Sequence, residues 1–63
     1  NYLITFMINN RIFNKDFNNA FLNAVYLSKN NKELFKKYKF FYFKNLTKFS
    51  KENKLKLNQL LVN

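Results

Sequence analysis

Sixty-three residues run without one glycine and without one proline, so every turn in this chain must be made by residues with ordinary backbone preferences. Glycine enters the left-handed region at no steric cost, and proline presets φ for a turn. Asparagine is the nearest substitute, because its side chain mimics a turn hydrogen bond and caps helices. Asparagines punctuate the sequence where the hydrophobic periodicity breaks, first at Asn14 and again at Asn30-Asn31. Cysteine and histidine are also missing, which removes disulfides and the common zinc sites as staples.

Between those asparagines the apolar residues fall at helical spacing. Phe13, Phe17, Ala20, Phe21, Ala24 and Ser28 follow steps of four and three, with Leu27 beside them, which predicts a helix over 14–29. Asn14 is its expected N-cap, and Asp16 sits in the first turn, where negative charge suits the helix dipole. Asn30-Asn31 ends that helix and caps a second over 32–48, with Glu33 in its first turn. On a helical wheel Leu34, Phe35, Tyr38, Phe41, Tyr42, Leu46 and Phe49 share one broad side. The competing pattern is a strand across Tyr38–Phe43, which the β-propensity of four aromatics supports. The helix is preferred because its sorting spans the longer window. Ser50, followed by Glu52, opens a last helix over 51–62 with Leu57, Leu60 and Leu61 inward, although Lys54-Leu55-Lys56-Leu57 also alternates like a strand. The apolar run 2–8 reads as a strand or as the start of a buried helix, and periodicity does not choose. The expected fold is therefore mainly α: a bundle of about three short helices preceded by this segment. The chain is read as one small basic domain over 1–63, whole or a piece of a longer protein.

Charge is the strongest functional signal. Twelve basic residues against Asp16, Glu33 and Glu52 give a net charge of +9. Codons rich in A and T explain the abundance of Asn, Lys, Phe, Tyr and Ile, and the use of lysine with Arg11 as the sole arginine. They do not explain the shortage of acids, whose codons are compatible with the same bias. A charge so far from zero argues for an anionic partner. Thirteen aromatics in so short a chain imply that some remain exposed, and exposed aromatic patches mark binding surfaces.

Catalytic equipment is missing from the pattern. General acid–base work needs a titratable group beside the reacting atom, and the three carboxylates lie far apart, each at an expected helix start. No histidine is available to activate Ser28, Ser50, Thr5 or Thr47, and a phosphate loop cannot be built without glycine. No enzyme activity, metal, cofactor or small-molecule substrate is expected.

The candidate site is the polar side of the second helix. Lys36, Lys37, Lys44 and Lys48 gather there with Phe40 among them; the lysines would pair with successive phosphates and Phe40 would stack on an unpaired base. Lys51 and Lys54 extend that surface, and Arg11 with Lys15 flanks the start of the first helix, where free N–H groups could help hold a phosphate. A solvated lysine face is the plain alternative. In bulk composition the chain resembles ribosomal proteins of AT-rich organelle genomes, although no motif assigns it to a family. That resemblance implies a ribosomal or other ribonucleoprotein component bound to RNA, rRNA above all, and to neighbouring proteins of a large particle. The runner-up is a non-catalytic assembly subunit of a larger organellar complex, and the third reading is a cationic membrane-surface peptide. The expected location is intracellular, mitochondrial or otherwise organellar: residues 1–10 show no signal-peptide pattern, and no apolar run reaches a transmembrane length.

Overall fold

The computed structural model describes residues 2–62. Four helices follow one another as α1 (Tyr2–Asn9), α2 (Lys15–Leu27), α3 (Lys32–Lys44) and α4 (Lys51–Leu61), with a 3-10 turn at Leu46–Lys48 before α4. The expected caps form. Asn14 Oδ1 accepts the Phe17 N–H at 3.0 Å, Asn31 Oδ1 accepts that of Leu34 at 3.2 Å, and Ser50 Oγ accepts that of Asn53 at 3.3 Å. Such caps contribute about 1 kcal/mol each.

Two expectations are corrected. The segment 2–8 is helical, and it is not a buried helix: Ile4 reaches the core while Tyr2, Leu3 and Phe6 face outward. The second expected helix ends at Lys44 instead of running to 48. Asn45 stops it, donating its side-chain amide to Phe41 O at 3.0 Å and its backbone N–H to Tyr42 O at 3.1 Å. The 3-10 turn that follows swings Phe49 into the core, against Phe21 (4.9 Å between ring centroids), Tyr42 (5.2 Å) and Phe17 (5.7 Å). Elsewhere the boundaries differ by a residue or two. Ser28 serves as the C-cap of α2, with its hydroxyl on Val25 O at 2.8 Å, and Leu27 is 73% exposed rather than inward. No strand forms across Tyr38–Phe43 or Lys54–Leu57. Tyr38, Tyr42 and Leu57 are buried at helical spacing, so the 3.6-residue period prevails over aromatic β-propensity.

The α1–α2 turn shows what the lack of glycine costs. Ile12 N–H bonds to Met7 O at 2.8 Å and Arg11 N–H to Ile8 O at 3.1 Å, the pattern of a Schellman C-cap. The residue that must turn left-handed is Arg11, at φ 53°.

Phe17, Phe21, Val25, Tyr42 and Leu57 are the fully buried centre. Each such side chain contributes roughly 1.5–3 kcal/mol by leaving water. Asn18 Oδ1 accepts the Ser50 N–H, and Leu22 and Tyr26 share a groove with Gln59 and Leu60. Helices α2 and α4 therefore lie side by side and parallel, with both N-termini at one end. The radius of gyration, 10.6 Å, equals that of a compact domain of this length. No helix among the described residues is long and apolar enough to cross a membrane.

Candidate nucleic-acid interface

The thirteen aromatics divide by location. Phe17, Phe21, Tyr38, Tyr42 and Phe49 are buried, and Phe13, Phe35 and Phe41 are half-buried. The remaining five face solvent: Tyr2 and Phe6 on α1, Tyr26 on α2, and Phe40 and Phe43 on α3. Helix α3 is also the most charged, carrying Lys32, Lys36, Lys37, Lys39 and Lys44 against Glu33 alone, all of them exposed.

Helix geometry explains this juxtaposition. Leu34, Tyr38 and Tyr42 recur every four residues and hold one side of α3 against the core. Tyr42 fixes the rotation, sharing its hydroxyl proton between Asn58 Oδ1 at 2.8 Å and Lys54 O at 3.2 Å on α4. The opposite side then carries Lys36, Phe40 and Phe43, with lysines along both flanks. Phe40 is 64% exposed and Phe43 45%. The Lys44 ammonium lies 4.9 Å from the Phe40 ring centroid, a cation–π pair between neighbouring turns.

Lys36, Lys37, Lys44 and Phe40 are thus placed on one exposed helix surface. Lys37 sits at its margin, where it borders a cavity between α1 and α3 lined by Ile4, Ile8, Tyr38 and Phe41. The other candidates lie on other elements. Lys48 belongs to the 3-10 turn, half-buried, with its ammonium 5.1 Å above the Phe13 ring. Lys51 is exposed on the first turn of α4, Lys54 is half-buried on the same helix, and Arg11 occupies the α1–α2 turn. Lys32, Lys39 and Phe43 are also exposed on α3, beside the residues that the spacing singles out. The wheel contained the signal, since seven residues at about 100° each bring Phe43 within about 20° of Lys36.

The buried tyrosines are structural. Desolvation raises the Tyr38 and Tyr42 hydroxyls above the ordinary tyrosine pKa, as burial does for any group that ionises to an anion. No cluster of acidic, histidine or cysteine side chains among the described residues could hold a metal ion. Comparison with protein-family models, curated proteins and solved structures gives no match to this chain.

Proposed function

We propose that this protein is a small, non-catalytic RNA-binding component of a ribonucleoprotein particle, and that the outer side of α3 is its contact surface. The observation that carries this reading is Phe40, mostly exposed and surrounded by lysines on a helix whose packing is complete on its other side. A solvated lysine face needs no phenylalanines, and leaving two of them partly in water forgoes a share of the roughly 1.5–3 kcal/mol that full burial of each would contribute. A single-stranded or looped RNA uses both kinds of group, lysines for phosphates and rings for unpaired bases. A ribosome-like particle of an AT-rich, organellar genome fits the lysine-for-arginine composition.

Salt dependence tests the proposal. About four phosphate contacts, from Lys36, Lys37, Lys39 and Lys44, predict a log–log slope of RNA affinity on salt near −3. Neutralising these lysines together with glutamine should abolish most of the affinity and flatten the slope. Unchanged RNA association after that substitution would overturn the reading.

A specific observation favours a second reading, that of an assembly subunit. Helix α1 carries no charged residue and exposes Tyr2, Leu3 and Phe6, as a helix buried against a neighbouring protein would. In that case the α3 lysine changes are silent, and Phe6→Ser disrupts the complex.

A further inference from the structure

We propose that the cavity between α1 and α3 binds a single-chain amphipathic carboxylate of the fatty-acid type, its alkyl chain against the apolar lining and its carboxylate at Lys37. This site goes beyond the α3 surface and does not depend on RNA binding there.

The cavity follows from how the two helices are held. Helix α1 packs chiefly on α2, while α3 is fixed to α4 through the Tyr42 hydroxyl. Neither anchorage draws α1 and α3 together, and about 390 Å³ is left between them. Ile4, Phe21 and Tyr38 line this space from the buried core, and Ile8, Leu34 and Phe41, each half-buried, form its walls. An apolar cavity of about 150 Å³ already accepts a benzene-sized ligand. The larger space here lies within the size range of small-molecule sites, which are mostly apolar with a few polar groups that fix orientation.

The lining also states what the occupant must carry. Lys37 is its one charged residue, exposed and therefore at the rim, and Thr5 and Tyr38 add hydroxyls. A ligand that satisfies this set offers apolar surface to the walls and a single negative charge to one ammonium. From Leu34 to Phe41 the helix rises about 10 Å, which suits an alkyl chain of medium length. A carboxylate has one charge and two oxygens, enough for the Lys37 ammonium and a neighbouring hydroxyl together. A phosphate monoester, with a charge of about −1.5 to −2, would find one ammonium where it needs two. A cationic amphiphile would meet Lys37 with like charge. The net charge of +9 adds to the preference, because it concentrates anions at the surface.

Methyl NMR on the whole chain tests the site, with decanoate below its micelle concentration as the probe. Acetate supplies the head group alone, and decyltrimethylammonium the same chain with the opposite charge. The expected result is a saturable shift of the Ile4, Ile8 and Leu34 methyls with decanoate and none with acetate. Decyltrimethylammonium should bind at least about tenfold more weakly, through like-charge contact at the rim. Lys37→Gln should weaken decanoate binding roughly two- to fivefold. Lys29→Gln, which removes an equal charge outside the cavity, should leave it unchanged. Both lysines are exposed, so neither substitution disturbs the core. No saturable shift, equal affinity for the two amphiphiles, or equal loss in the two lysine variants overturns the proposal. Shifts centred on Leu3 and Phe6 instead of the lining methyls would place the amphiphile on the outer side of α1 and overturn it as well.

Discussion

Asn18 accepts the backbone N–H of Ser50 on its side-chain oxygen at 2.8 Å, joining two positions thirty-two residues apart. Its amide nitrogen donates to Asn14 O at 2.9 Å and reaches Lys48 O at 3.5 Å. One buried amide therefore ties the start of α2 to the end of the 3-10 turn and the start of α4. The tie sets where α4 begins along α2.

Asn18→Leu should consequently destabilise the chain by about 1–3 kcal/mol, the cost of leaving partly buried backbone groups unpaired. Asn18→Asp should also destabilise it, because a carboxylate can accept from Ser50 but faces the Asn14 and Lys48 carbonyls where the amide donated. Urea denaturation followed by helical circular dichroism measures both. A Leu variant as stable as the parent would show that apolar packing alone fixes the junction.

Arg11 offers a change in the opposite direction. It occupies the left-handed position of the α1 C-cap at φ 53°, where a residue with a Cβ costs roughly 1–2 kcal/mol. Arg11→Gly should stabilise the fold by about 1 kcal/mol after the added freedom of the unfolded chain is subtracted. For a domain of this size that corresponds to a rise in Tm of about 4–8 °C. Arg11→Ala, which keeps the Cβ, should give no such gain. An equal gain from both would assign the effect to lost charge repulsion.

These two residues also show where the sequence was and was not legible. Periodicity and caps revealed α2 and the starts of α3 and α4, because Phe17, Phe21 and Ala24 repeat at helical spacing and Asn14, Asn31 and Ser50 have local acceptor roles. Asn18 was opaque: on the wheel it is one more polar residue beside a core stripe, and its partners lie about thirty positions away. The end of α3 was opaque for a related reason. Leu46 and Phe49 continue the apolar side of the wheel, so nothing local separates a longer helix from a turn that redirects Phe49. Helix α1 could not be assigned from a run without a polar side. In the candidate site, Lys36, Lys37, Lys44 and Phe40 were readable from spacing alone, whereas the departure of Lys48 toward Phe13 depended on the break at Asn45.

The buried tyrosines predict alkaline sensitivity. Tyr38 and Tyr42 have raised pKa values in the folded chain through desolvation, so above about pH 10 the unfolded chain releases these protons first. Their contribution is fully present below that pH and is lost as pH rises through the folded values. Lysines titrate in the same range, so the comparison is between the parent and a Tyr38→Phe/Tyr42→Phe variant, with urea midpoints measured from pH 8 to 11. The parent should lose stability more steeply above pH 10. At neutral pH the variant should be weaker by roughly 0.5–1.5 kcal/mol, because the Tyr42 bonds to Asn58 and Lys54 are gone. Parallel profiles would mean that both hydroxyls ionise as freely in the fold as outside it.

The Phe40–Lys44 pair makes the sharpest prediction for the α3 surface. The ammonium lies 4.9 Å from the ring centroid of Phe40, and the side chain stays 64% exposed beside it. Phe40→Leu keeps an apolar side chain at the position but removes the π-face. It should cost about 1–3 kcal/mol of RNA affinity while leaving the salt slope unchanged. Lys44→Gln should reduce the slope by nearly one contact and weaken all sequences alike. The double variant should lose less than the sum of the two, because each single change already disrupts the cation–π pair that orients the ring. Filter binding to a short single-stranded RNA at several salt concentrations separates the terms. Strict additivity would show that ring and ammonium act independently, and a Phe40→Leu variant with full affinity would remove base stacking from the account.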